Sequence, residues 1–507
     1  MCPADRKRLV GPAVLLAAMT VLVACNKTSS GQPVASASDG KIPITTKSDD
    51  ARKEFLQGRD LADRLLGQES LRHFDRALAL DPDFASAELA RANNSPTAKE
   101  FFVHQLKASV LVDKVSEGEK LLILANEAGA NAEVVKQKNY LDELIAAYPN
   151  DERAQFAMAN YYFGQQQFKE AVAHYQKATQ LAPNFTPAYN VLGYAYRQQG
   201  DYADAEQAFK KYVELLPNDP NPYDSYAELL MKMGRFDDSI AQYRKALSID
   251  PHFAASHFGL SGDLMYKDQR DQAMAELQSM LDQARNDGEV RTAYFGMAVV
   301  ASDAGQFDKA VQAIEKEFAV AEKKSDVAAM AADLQARGNI LVAAERYDDA
   351  AKQFERSLEL TEDSTLSQEI KDNAKLQHQF NLTVLAIAKK DNAAAKAHAE
   401  TYGQGAEASK GAARIKQAHE LVGRIALARK DYATAIEQLQ QSNQQDPCNL
   451  YRLSQAYQAK GDAPQAQAFA KKAAEFNSLP QLNYAFIRVK AEKAYSGTSQ
   501  ATNSHPL

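Results

Sequence analysis

The chain has 507 residues, a formal charge of −7, three cysteines and no tryptophan. Acidic and basic residues are interspersed, which excludes a general nucleic-acid surface, because that needs clustered lysine and arginine. Length alone suggests about three globular domains, but repetition along the chain overrides that expectation, since a solenoid extends its core by stacking.

The first 25 residues differ from the rest. Asp5-Arg6-Lys7-Arg8 is a basic stretch, followed by the apolar run VGPAVLLAAMTVLV and then Leu22-Val23-Ala24-Cys25. The run fits a secretory signal and is short for a membrane-spanning helix. The tetrapeptide resembles the lipobox of bacterial lipoproteins. The resemblance implies a signal peptide over 1–25, acylation of Cys25 as the first mature residue and a membrane-tethered protein. Asn26 after the cysteine resembles Gram-negative lipoproteins sent to the outer membrane, facing the periplasm. Residues 26–48 are polar and lack apolar periodicity, so they read as a flexible, disordered tether with a reach on the order of 75 Å.

From Asp50 to Pro82 a first helical hairpin is expected, then helices at about 84–92, 97–115, 117–128 and 131–147. From Asp151 to Pro251 one pattern recurs three times. Pro183, Pro217 and Pro251 are 34 residues apart, as are Ala171, Ala205 and Ser239, and Tyr175, Phe209 and Tyr243. A fourth copy starts at Pro251. With the closing proline counted as position 32, position 8 holds Ala159, Gly193, Ala227 and Ser261, and position 20 holds Ala171, Ala205, Ser239 and Ala273. Small residues there let two helices cross closely, while bulk at positions 11 and 24 fills the wedge between hairpins. This 34-residue pattern resembles the tetratricopeptide repeat, a helix–turn–helix stacked into a solenoid. The fold class is therefore all-α, an α-solenoid of about 11–12 hairpins. Residues 49–288 form an N-terminal block, with its regular repeats at 151–285.

After residue 288 the period lengthens: Ala310, Ala350, Ala395 and Ala435 take position 20. Residues 289–495 form a second block with longer repeats, in which Gly403–Gly411 reads as a loop. Residues 482–495 read as a helix that caps the exposed end, and 496–507 as a disordered tail.

A search for chemistry yields no catalytic residue, no metal site and no cofactor. The nine histidines include no pair at the i, i+3 or i+4 spacing of a helical metal site. His419-Glu420 lacks the second histidine of a zinc-peptidase motif, and Gly405–Lys410 lacks the order of a phosphate loop. Lone Cys448 reads as a small buried hydrophobe. The resemblance implies that first helices line a concave groove through positions 2, 5, 9 and 12. On this chain the candidate partner-binding residues are Arg153, Phe156, Asn160, Asn190, Tyr194, Arg197, Asp224 and Glu228. Amides there can pair with a bound backbone while aromatic rings anchor side chains. The expected function is a non-enzymatic scaffold that binds a protein or peptide partner in the bacterial cell envelope. The alternatives are capture of a glycan or small ligand, favoured by the groove tyrosines, and an accessory subunit of an envelope enzyme.

Overall fold

The computed structural model describes residues 40–502 apart from 96–97, 132 and 410. The signal peptide, Cys25 and the tether up to residue 39 lie outside the described residues. All regular elements among the described residues are helical, and twenty-four of the α-helices pair into twelve successive hairpins. The first three hairpins are α1 (Asp49–Asp63) with α2 (Gly67–Leu80), α3 (Ala85–Asn93) with α4 (Ala98–Val110), and α5 (Glu117–Ala130) with α6 (Val134–Ala147). Four regular ones follow: α7 (Glu152–Gly164) with α8 (Phe168–Leu181), and α9 (Thr186–Gln199) with α10 (Tyr202–Leu215). Then come α11 (Pro220–Lys232) with α12 (Phe236–Ile249), and α13 (Ala254–Tyr266) with α14 (Arg270–Asp282).

Helices of 16 to 21 residues then appear: α15 (Asp287–Asp303), α16 (Phe307–Lys323), α17 (Val327–Ala343), α18 (Tyr347–Glu362), α19 (Gln368–Ala388), α20 (Asn392–Ser409) and α21 (Ala412–Ala428). The series ends with α22 (Tyr432–Gln441), α23 (Pro447–Lys460), α24 (Ala463–Ala474), a short α25 (Leu482–Ala485) and α26 (Arg488–Thr502). Each hairpin packs internally and against the next one, which is how a solenoid buries its apolar faces.

The repeat positions have a direct physical meaning. A Cβ placed on Gly193 would lie 2.7 Å from the Phe209 ring, sixteen residues on. The same spacing joins Gly58 to Phe74, Gly338 to Phe354 and Gly423 to Leu439, again with a virtual Cβ at 2.2–2.7 Å. Position 8 is therefore small because the position 24 side chain of the same hairpin packs directly against it. Position 20 is fully buried as Ala171, Ala205, Ser239, Ala273, Ala310 and Ala350. Helices α8, α10 and α12 each end two residues before Pro183, Pro217 and Pro251, because a residue preceding proline is pushed out of the helical region. The turns need one left-handed residue: Gly200 (φ 86°) and Gly234 (φ 74°) supply it, but Gln166 and Asp268 do so elsewhere.

Three expectations are corrected. The tether does not run to Ser48: from Lys41 the chain lies extended along the edge where α3, α5 and α7 begin. Main-chain N–H groups of Ile42, Thr45 and Lys47 donate to the carboxylates of Asp151, Glu119 and Asp81, each at 2.9 Å. Polar composition hid this, because the segment is held by main-chain bonds and by Ile42 and Ile44 packing on the hairpins. The stretch Gly403–Ser409 is helix, not loop; a Cβ on Gly405 would meet Leu376 of α19 at 2.7 Å, so this glycine permits close helix approach. The C-terminal stretch 482–495 is broken between α25 and α26, and α26 extends through Thr502 into the expected tail. It covers α24 as a cap does, but α25 also reaches back to α15.

The helix contact at position 8 yields a test. Gly193→Ala should destabilise by about 1–3 kcal/mol through overpacking, and Phe209→Ala by about 3–5 kcal/mol through cavity formation. Denaturant unfolding of Gly193→Ala combined with Phe209→Leu should show a smaller loss than the sum of the two singles. Strict additivity contradicts the contact.

Candidate functional site

The eight groove residues separate into two groups. Arg153 on α7 is held by the Asp63 carboxylate of α1, at 3.2 Å through Nη1 and also through Nη2, and its guanidinium lies 4.8 Å over the Phe185 ring. Phe156 packs between Tyr175 and Phe185, at ring separations of 5.7 and 5.3 Å. Asn160 is exposed and accepts the Tyr175 hydroxyl at 2.6 Å. These three residues therefore serve packing within the chain.

The other five converge on α9 and α11. Tyr194 and Arg197 both donate to the Glu228 carboxylate, at 3.3 and 3.1 Å, and the Arg197 guanidinium stands 4.6 Å from the Tyr194 ring centre. Asp224 is buried and accepts the Ser256 hydroxyl of α13 at 2.7 Å. Asn190 is buried beside them, and its Oδ1 has no hydrogen-bond partner among the described residues. Burial, with the neighbouring Glu228 charge adding to it, pushes the Asp224 carboxyl up to about 7, against the opposing Ser256 bond. The patch thus offers an amide acceptor, a hydroxyl, a guanidinium and a carboxyl that titrates near neutrality. Such groups can pair with main-chain amides and carbonyls.

Sequence reasoning missed what lies against this patch. Residues 476–481 of the same chain lie against it as non-helical chain that turns at Asn477 (φ 37°). Lys232 donates to the Phe476 carbonyl with its ammonium 4.5 Å over the Phe476 ring, and Tyr266 donates to the Ser478 carbonyl. Pro480 packs on Gly262, where a Cβ would come within 3.0 Å. Arg197, Glu228 and Met231 share with residues 476–481 the wall of a cavity of about 400 Å³.

Beyond this segment Arg488, only 2% exposed, grips Asp303 with two nitrogens at 2.7 and 2.8 Å and Asp268 at 3.1 Å. Asp303 also holds Arg270, so its burial is doubly compensated. Cys448 is half-buried, its thiol facing the Asn483 carbonyl at 3.2 Å. Burial, with help from Asp446, pushes that thiol up to about 12.

A second missed signal was readable. His73, His174, His257, His398 and His419 each bond a Glu or Gln nineteen residues away, across one hairpin. A spacing of nineteen joins facing helices, whereas a search restricted to i+3 and i+4 sees only one helix. No group of three or more potential metal ligands exists among the described residues.

An all-α solenoid of successive hairpins belongs to the class of helical-repeat scaffolds. Models of the tetratricopeptide repeat match residues 138–184 and 156–220, 230–294, and 289–363, so these segments are tetratricopeptide repeats. Solved structures of low identity are similar to parts of the chain. A tetratricopeptide repeat protein from Parabacteroides merdae is 15% identical, with 51% of this chain and 97% of that one covered at a TM-score of 0.38. PilW, a type IV pilus biogenesis factor, is 20% identical over 43% and 96%, with a TM-score of 0.33. YrrB, a tetratricopeptide repeat protein with an unusual peptide-binding site, is 17% identical over 36% and 91%, with a TM-score of 0.27. No curated protein matches the chain.

Two measurements test the site. Arg488→Met should cost about 3 kcal/mol, as loss of one partner of a buried pair does. Hydrogen exchange should rise in residues 475–495 and in α11, α13 and α15, and stay unchanged in α1 to α6; uniform loosening contradicts the docking. Asp224 has its folded pKa raised from 3.8 to about 7, so the folded state holds its proton more tightly than the unfolded state does. Its contribution is full below pH ~4, declines as pH rises towards ~7 and is flat above. Asp224→Asn should remove on the order of a few kcal/mol from the fall in stability across that window. An unchanged pH profile refutes the assignment.

Proposed function

We propose that this chain is a non-enzymatic scaffold of the bacterial cell envelope, anchored by a lipid on Cys25 and binding a protein partner through an extended segment. The observation that carries the binding reading is chemical. Two stretches of the chain itself, 41–48 and 476–481, lie as non-helical chain on the hairpins. In the first, side-chain carboxylates take up main-chain N–H groups; in the second, an ammonium and a phenol take up carbonyls. Surfaces that satisfy an extended backbone with side chains recognise peptides by the same groups.

A partner segment would enter beside residues 476–481, at the cavity walled by Arg197, Glu228 and Met231. Asn190 and Asp224 would pair with its backbone, and Tyr194 with Arg197 would select its side chains. The envelope part of the reading is supported by Leu22-Val23-Ala24-Cys25 after a basic and then an apolar stretch.

Each part has its own test. Cys25→Ser should abolish incorporation of a fatty-acid analogue and release the protein from membranes; equal label in the variant sinks the anchor. Tyr194→Ala with Arg197→Ala should weaken binding of a partner crosslinked in cells by at least about 1–2 kcal/mol, with circular dichroism unchanged. Undiminished affinity moves the binding site to another part of the solenoid.

A further inference from the structure

We propose that the outward face of α4 seats on a lipid surface and so holds the first three hairpins against the membrane. Twelve large hydrophobic side chains are exposed among the described residues; nine of them fall between Leu56 and Val135, and none between residues 136 and 369. Four sit on α4 itself. Phe102, Leu106 and Val110 are spaced by four, which places them on one face, and they are 53%, 63% and 73% exposed, with Val103 alongside. The opposite face, carrying Gln105 and Ala108, is buried. Where a regular repeat shows its second helix to solvent the residues are polar, as with Asp204, Gln207, Lys210 and Glu214 on α10. The α4 stripe is therefore not a general property of these hairpins.

The path of the chain favours lipid as the occupant. From Gly40 the chain first meets Glu152 and Asp151 at the start of α7, through Lys41 and Ile42, and then passes Ser116, shortly after α4, and Asp83, just before α3. Lys47 and Lys114 both pair with Asp83, at 3.0 and 3.2 Å, and Ser116 donates to the Pro43 carbonyl at 3.4 Å. Residues 26–39 can span on the order of 45–50 Å, whereas α4 is only about 20 Å long. A membrane holding Cys25 thus lies within reach of the whole stripe. Lys107 and Lys114, each more than half exposed, border the apolar residues as cations border interfacial helices. This inference rests on the anchor reading for the position of the membrane, but its chemistry belongs to α4 alone.

The test uses a chain beginning at Asn26, which keeps every described residue and lacks the acylated cysteine. Mixed with phosphatidylethanolamine–phosphatidylglycerol vesicles, it should float with them. Leu106→Gln with Val110→Gln should reduce the bound fraction about fivefold or more. Val422→Gln, at an exposed apolar residue of α21, should leave binding intact, and circular dichroism should be unchanged in both variants. Failure of the unsubstituted chain to float, or equal flotation of the α4 variant, overturns the proposal. So does a photocrosslink from position 106 to protein and not to lipid in cells. None of these outcomes bears on Cys25, whose acylation is judged by fatty-acid label.

Discussion

The structure depends on one steric relation, a small residue at position 8 lying under the bulky side chain sixteen residues later. Without it the two helices of a hairpin could not approach closely enough to bury both faces. Gly58, Gly193, Gly338 and Gly423 meet this need in hairpins spread across the chain. The relation survives the change from 13–14-residue to 16–21-residue helices, because lengthening adds turns at the ends and leaves the crossing alone. In α19 and α20 the sizes are exchanged, with Thr383 at position 8 and Ala399 at position 24, both buried.

A second constraint follows from stacking. A solenoid leaves open ends and a groove, and here two non-repeat stretches of the chain cover parts of its surface. Residues 41–48 tie the starts of α3, α5 and α7 together. The stretch 476–488 ties α24 to α11, α13 and α15 through main-chain bonds, Tyr484 packed on Tyr266, and the Arg488–Asp303 pair. Nearest-neighbour coupling alone would make distant hairpins independent. These two segments couple hairpins far apart in sequence, so the inner face is partly filled before any partner arrives.

What the sequence made legible was whatever repeats. The proline, alanine and aromatic spacings predicted the hairpins, their crossings and the helix ends at Pro183, Pro217 and Pro251. It also predicted that Asn190, Tyr194, Arg197, Asp224 and Glu228 would share one region, because helix face and repeat register fix that. What was illegible is non-periodic: the return of Arg488 to Asp303 spans 185 residues, and nothing in either local pattern announces the other. Polar composition likewise concealed the ordered edge segment, whose bonds run through the backbone. Gly405 was misread because glycine marks a loop and a close helix contact equally well. The nineteen-residue histidine pairs were readable, but only to a search across helices.

The central claim is that the chain's own C-terminal segment occupies the inner face beside the Arg197–Glu228 patch. Gln198 and Gln481 both line the cavity there. The most direct measurement is the distance between spin labels on Gln198→Cys and Gln481→Cys in a Cys448→Ser background. A single short, narrow distance is predicted. A broad distribution reaching long distances would contradict the account, because it would mean that the segment leaves the groove open in solution.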